Sequence, residues 1–131
     1  MAGKGTAPRA GYKLEQQVVE IAERLNLHTR EQYRCGRRIW GAERKIDVVV
    51  TEPETKKRLG IECKAQDTKG SAEDKIVATI QDMSAWPIAG LLVFSGIGFS
   101  DNMRSFMIAS GKAVGLEDLE SWLRLYFGLE L

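Results

Sequence analysis

The chain has 131 residues, 44% of them hydrophobic and 28% charged, which fits one globular domain with a real core and excludes a disordered or repeat-built scaffold. Its 19 Lys and Arg against 18 Asp and Glu give a formal charge of +1, so the net charge by itself points to no partner. No apolar run reaches the length of a membrane span and no secretory leader is evident, so a soluble, intracellular protein is expected, cytoplasmic or nucleoid-associated, with no membrane partner.

Residues 1–11 are rich in Gly, Ala and basic residues without apolar periodicity, and read as a flexible arm ahead of a single domain over residues 12–131. In residues 12–27, apolar side chains at Leu14, Val18, Ile21, Ala22 and Leu25 have the spacing of an amphipathic helix, with Glu15 beside the stripe. His28 follows as a solvated helix-end residue. The polar and aromatic stretch 31–40, closed by Gly41, predicts a strand. Two apolar runs come next, Lys45-Ile46-Asp47-Val48-Val49-Val50 and Arg58-Leu59-Gly60-Ile61-Glu62-Cys63-Lys64, and the polar, Pro53-containing link between them predicts an antiparallel hairpin.

A turn about Glu54-Thr55 sets the hairpin register. Val50 then faces Leu59, Val48 faces Ile61 and Ile46 faces Cys63 on one apolar side. On the other side Asp47 faces Glu62 and Lys45 faces Lys64, with Cβ separations of about 4.5–5.5 Å.

Residues 65–70 form a loop. Ser71-Ala72-Glu73-Asp74 opens a helix in the manner of a capping box, Ile76, Val77, Ile80 and Met83 give it an apolar face, and Pro87 ends it. Gly90-Leu91-Leu92-Val93-Phe94-Ser95 reads as a strand covered on both faces. Helices over 101–110 and 116–127 follow, with a short strand at 112–115 between them; Trp86, Trp122, Tyr126 and Phe127 serve packing. The fold class is α/β, a mixed central β-sheet flanked by helices.

Two carboxylates as close as Asp47 and Glu62 repel each other, and a divalent cation removes the conflict. Mg²⁺ takes oxygen ligands and is commonly held by one or two carboxylates, keeping waters and phosphate oxygens as the rest. The main-chain carbonyl of Cys63 offers a third oxygen while its thiol points into the core. Lys64 is placed to orient or deprotonate a water, or to stabilise charge on a phosphate.

At these residues, Ile46-Asp47 and then Glu62-Cys63-Lys64, the chain resembles the PD-(D/E)xK nuclease superfamily, with Ile46 where a Pro often precedes the Asp. The order helix, three strands, helix, strand matches its restriction-endonuclease-like core, αβββαβ. The resemblance implies a Mg²⁺-dependent DNA endonuclease, Mn²⁺ substituting, with Asp47, Glu62 and Lys64 catalytic and with Asp47, Glu62 and the Cys63 carbonyl on the metal. It also implies Glu15 as an auxiliary ligand; its other reading is a first-turn acid favoured by the helix dipole. A homodimer cutting both strands is expected, of junction-resolvase-like or of homing or restriction type. The alternative from another class is a non-catalytic DNA-binding or assembly subunit with the same fold.

Charge is unevenly distributed. Residues 1–75 hold 16 Lys and Arg against 12 Asp and Glu, whereas residues 76–131 hold 3 against 6. Arg30, Arg34, Arg37, Arg38, Arg44 and Lys45, interleaved with Tyr33 and Trp40, read as a phosphate-backbone footprint continued by Lys56, Lys57 and Arg58; the competing reading is a strand edge that uses charge to resist aggregation. Gln66, on the same strand face as Lys64, and Lys69 and Lys75, flanking the next helix start, complete the expected DNA contacts. For these three, ordinary hydrogen bonding and solvated lysines are the bland readings. Cys35 and Cys63 lack metal-site spacing, and Gly96-Ile97-Gly98 lacks the Lys and Ser or Thr of a phosphate loop, so neither structural zinc nor a nucleotide cofactor is expected.

Overall fold

A computed structural model describes residues 10–37, 41–66, 73–96 and 98–130. The elements, in chain order, are α1 (Ala10–Arg24), β1 (His28–Arg37), β2 (Glu43–Thr51), β3 (Arg58–Ala65), α2 (Glu73–Met83), β4 (Ala89–Ser95), α3 (Asp101–Ala109), β5 (Ala113–Gly115) and α4 (Leu119–Phe127), the last entered through a 3₁₀ turn at Leu116–Asp118. The five strands form one sheet in the order β1-β2-β3-β4-β5. β1 and β3 each run antiparallel to β2, which lies between them, whereas β3, β4 and β5 run parallel. A mixed sheet flanked by helices is therefore observed.

The sheet separates two apolar clusters. Leu14, Val18 and Ala22 of α1 and Leu119, Leu123 and Phe127 of α4 pack with Val48, Val50, Leu59, Ile61 and Cys63 on one face. Ile76, Ile80 and Met83 of α2 and Met107 of α3 pack with Ile46, Val49, Leu92 and Phe94 on the other. Strand β4 feeds both clusters, as its unbroken apolar run predicts for a strand covered on two sides.

The hairpin pairs in the expected register, Val50 with Leu59 and Val48 with Ile61. The register does not continue as expected: the ladder stops at Val48–Ile61, so the expected Asp47–Glu62 and Lys45–Lys64 pairs do not form, and Ile46 and Cys63 end in opposite clusters. Beyond that point β3 keeps parallel pairing with β4 all the way to Ala65–Ser95, which draws it away from β2. Strand β1 also starts earlier than its composition suggests: His28 is its first residue, not a helix end, after a turn through Asn26 at φ 62°. Ser71 and its cap lie outside the described residues, as do residues 1–9; Ala10 is already helical.

The hairpin loop is organised locally. The Glu52 carboxylate accepts from the Glu54 and Thr55 amides at 2.9 and 2.7 Å, which favours its ionised form. Lys57 donates to the Tyr126 carbonyl at 2.8 Å and lies 4.2 Å from that ring's centroid, so this loop lysine is spent on packing against α4.

Gly60 sits where β3 passes under the helix that follows it. A Cβ there would lie 2.8 and 2.9 Å from Trp86 ring carbons, inside any real contact distance. The Trp86 indole thus rests on bare backbone, fixing the end of α2 over β3 and β4. Gly60→Ala is expected to destabilise the fold by about 1–3 kcal/mol through overpacking, read by urea unfolding; a stability unchanged within error would show that the indole moves aside freely.

Candidate active site

The strand pair β1–β2 is distorted at one level of the sheet. Its register skips the step between Glu31–Val48 and Tyr33–Ile46, where Gln32 would face Asp47. Gln32 has φ 51°, a left-handed conformation that costs a non-glycine residue roughly 1–2 kcal/mol. Alternation of faces breaks there on both strands. Glu31 and Gln32, though consecutive, both reach α1, through Gln16 and Glu15 respectively, and Ile46 lies in the α2-side cluster while Val48, two residues on, lies in the α1-side cluster.

The distortion builds a polar chain. Gln32 Nε2 donates to Glu15 Oε1 at 2.9 Å and makes a longer contact of 3.4 Å to Asp47 Oδ1. Asp47 Oδ2 accepts from the Cys63 amide at 2.9 Å, taking a donor that the interrupted ladder no longer serves. On either side of Cys63, Glu62 and Lys64 project to the α2 face with 3.8 Å between Nζ and the nearer carboxylate oxygen, Oε2. Asp47 is therefore bonded to the main chain between the other two members of the motif.

The electrostatics agree with that geometry. Glu15 is 8% exposed, and burial, followed by repulsion from Asp47, raises its carboxyl above the ordinary 4.5, against the lowering influence of the Gln32 hydrogen bond. The Cys63 thiol is pushed far upward, first by burial and then by Asp47, Glu15 and Glu62, with Lys64 opposing. It is an inert, reduced thiol facing α1, as expected from sequence.

Residues 5–124 match the family model of the PD-(D/E)XK nuclease superfamily domain. The chain belongs to the PD-(D/E)XK nuclease superfamily. Among solved structures it is similar to AF1548, a crystallised protein of unknown function, with a TM-score of 0.53 and 18% identity over 78% of this chain. The chain spans 57% of that protein's length, and the likeness is one of fold. No curated protein matches the sequence significantly.

Members of this superfamily generally use divalent metals. The donors of this nuclease domain fit a hard cation in kind: carboxylate oxygens and main-chain carbonyls, with the mutual repulsion of Glu15 and Asp47 as the strain a cation would relieve. Among the described residues no three Asp, Glu, His or Cys side chains converge on one point.

On the α2 side, Glu62 and Lys64 line a cavity of about 560 Å³ shared with Lys75, Thr79 and Asp82. Lys75 thus stands on the wall of the motif's own cavity. Other sequence-derived contacts fall differently. Arg44 makes a two-pronged ion pair with Asp82, Nη2 to Oδ1 at 3.0 Å and Nε to Oδ2 at 3.2 Å, at only 14% side-chain exposure. That guanidinium ties β2 to α2 and is not presented to solvent as a phosphate ligand. Arg37 closes its own hairpin by donating to the Gly41 carbonyl at 2.9 Å, and Arg34 makes an exposed 3.5 Å pair with Glu43.

Gln66 is 6% exposed, donates to the Gly98 carbonyl at 2.9 Å and pins the end of β3 to the loop after β4. This is the ordinary hydrogen-bonding role. Arg38 and Lys69 lie outside the described residues. Gln32 is the site residue that sequence reasoning missed; its only signal would have been the β1–β2 register, which places it opposite Asp47.

Glu15 yields a prediction with a defined sign. Its carboxyl holds a proton more tightly folded than unfolded, so folding stability declines as pH rises from 4.5 through the raised value. Relative to wild type in metal-free buffer, Glu15→Gln should gain stability across that window and hold the gain at neutral pH. Thermal melts from pH 4 upward read it (roughly the ordinary carboxylate range at the start); a difference independent of pH would contradict the assignment.

Proposed function

We propose that this nuclease domain is a Mg²⁺-dependent DNA endonuclease, with Mn²⁺ substituting, in which Asp47, Glu62 and the Cys63 carbonyl hold the metal and Glu15 assists. The observation that carries this reading is the Asp47 hydrogen bond to Cys63, which joins the strand-borne Asp to the Glu-x-Lys segment at its midpoint. When bound, the cation would supply Lewis-acid polarisation of the phosphate and a more acidic water.

The remaining work belongs to side chains. Asp47 spends Oδ2 on the Cys63 amide, which fixes the carboxylate's orientation, and a bound cation would draw on this carboxylate, whose Oδ1 takes the longer 3.4 Å contact from Gln32. Gln32 holds Glu15 and Asp47 together, so the auxiliary acid keeps its place although burial disfavours its charge. Lys64, beside Glu62 over the cavity, holds the attacking water or steadies charge on the phosphate oxygens. Lys75, across the same cavity, contacts a neighbouring phosphate.

One such site cuts one strand, so a homodimer is the proposed cutting unit, acting on branched DNA in the manner of a junction resolvase; homing or restriction cleavage is the variant within this reading. A non-catalytic DNA-binding or assembly subunit with the same fold is the second reading.

Cleavage of labelled four-way junction, duplex and single-stranded DNA separates the readings. Metal-dependent cutting is expected, abolished by Asp47→Ala and by EDTA and reduced about 100-fold or more by Lys64→Ala. Binding without cutting on all three substrates supports the subunit reading. In the same system Lys75→Ala should lower the salt slope of DNA binding by about one. Arg44→Ala should instead leave that slope unchanged and lower the melting temperature, because it breaks the tie to Asp82; a changed slope would return Arg44 to the DNA surface.

A further inference from the structure

A second groove opens on the same face of the sheet as Glu62 and Lys64. It encloses about 360 Å³, within the range of roughly 300–1,000 Å³ usual for small-molecule sites. Its walls include Ile46, Val49 and Ile88, with Arg30 and Arg58 supplying charge and Tyr33 supplying a ring that is 40% exposed. The Arg30 guanidinium lies 5.5 Å from the Tyr33 ring centroid. Neither arginine has an ion-pair partner among the described residues.

The groove adjoins the catalytic cavity. Ile46 lines it and precedes Asp47; Cys35 also lines it, and that thiol feels the charges of Arg44 and Asp82. Asp82 in turn lines the cavity of Glu62 and Lys64. The two hollows lie on one face of the sheet, and the Arg44–Asp82 pair flanks the cavity that Asp82 lines.

The chemistry of the groove is mixed in a specific way. A paired DNA duplex offers a flat row of phosphates, for which surface lysines and arginines suffice and an apolar floor has no use. An unpaired nucleotide offers both a planar apolar base and a phosphate, and such bases are taken up by aromatic rings and guanidinium planes. We infer that this groove is a subsite for an unpaired nucleotide of the DNA, its base against Tyr33 and the apolar floor and its phosphate on Arg30 and Arg58. The inference rests on the nuclease reading only for the path of the strand; binding itself needs no cleavage. It makes the substrate DNA with a single-stranded element beside the cut.

The test uses the full chain in EDTA. Fluorescence anisotropy compares a labelled perfect duplex with the same duplex carrying one unpaired nucleotide. Binding of the second is expected to be roughly tenfold tighter, a preference that Tyr33→Ala erases and Tyr33→Phe retains. Arg58→Ala should weaken the unpaired-nucleotide complex and lower its salt slope by about one. Equal affinity for the two duplexes, or a preference untouched by Tyr33→Ala in a variant that melts like wild type, would overturn the subsite. Preference without any metal-dependent cutting would sustain the subsite and overturn the endonuclease reading alone. Cutting with no preference would do the reverse.

Discussion

The hydrogen bond from the Cys63 amide to the Asp47 carboxylate holds the site together, because it stands where the β2–β3 ladder gives way. In a regular hairpin that amide would serve main-chain pairing, and Asp47 would be one more side chain on the sheet. Here β3 is claimed by β4 along its whole length, and the gap toward β2 is bridged by a side chain in place of backbone. A charged acceptor at 2.9 Å makes a stronger bond than a neutral carbonyl would. The exchange is thus compatible with stability while it fixes a carboxylate beside the Glu-x-Lys segment.

The neighbouring strand accommodates the same event. Gln32 adopts a left-handed backbone conformation in the middle of β1 and uses its amide to hold Glu15 and Asp47. Strain of this kind persists only where the surroundings enforce it, and it tends to mark functional positions. Around it the two apolar clusters supply the enforcement: α1 and α4 close one face of the sheet, α2 and α3 the other. The buried acid Glu15 enters from α1, whereas Glu62, Lys64 and Lys75 open toward α2, so the candidate site draws its residues from both layers of the fold.

Much of this was legible in the amino-acid order. The turn about Glu54-Thr55 and the alternation on either side of it set the Val50–Leu59 and Val48–Ile61 pairs correctly, since alternate residues of a strand share one face and these four meet in one cluster. The extension of that register to Ile46 and Cys63 failed for a non-local reason: the competing partner of β3 lies in a strand about thirty residues further on, and pattern reading treats the hairpin alone. Glu15 was placed by helical spacing and family resemblance. Gln32 was invisible, because glutamine has no preference for a left-handed backbone and its partner across the sheet depends on an unpredicted register.

Arginine roles were the least legible. Arg44 reads as one of a basic cluster, yet its partner Asp82 is 38 residues away and becomes a neighbour only when α2 folds back over the sheet. Arg30 and Arg58, from different strands, are brought to one groove by the same folding. Charge clustering in sequence therefore did not sort structural arginines from surface ones.

The measurement that bears most directly on the central claim is calorimetric titration of Mg²⁺ and Mn²⁺ into the full chain and into Asp47→Asn, which keeps the shape of the side chain and removes its charge. Saturable binding to the wild type that Asp47→Asn loses is the predicted result. Equal binding by both proteins, or none by either, would contradict the assignment of Asp47 and its Cys63-bonded carboxylate as the organising element of a metal site.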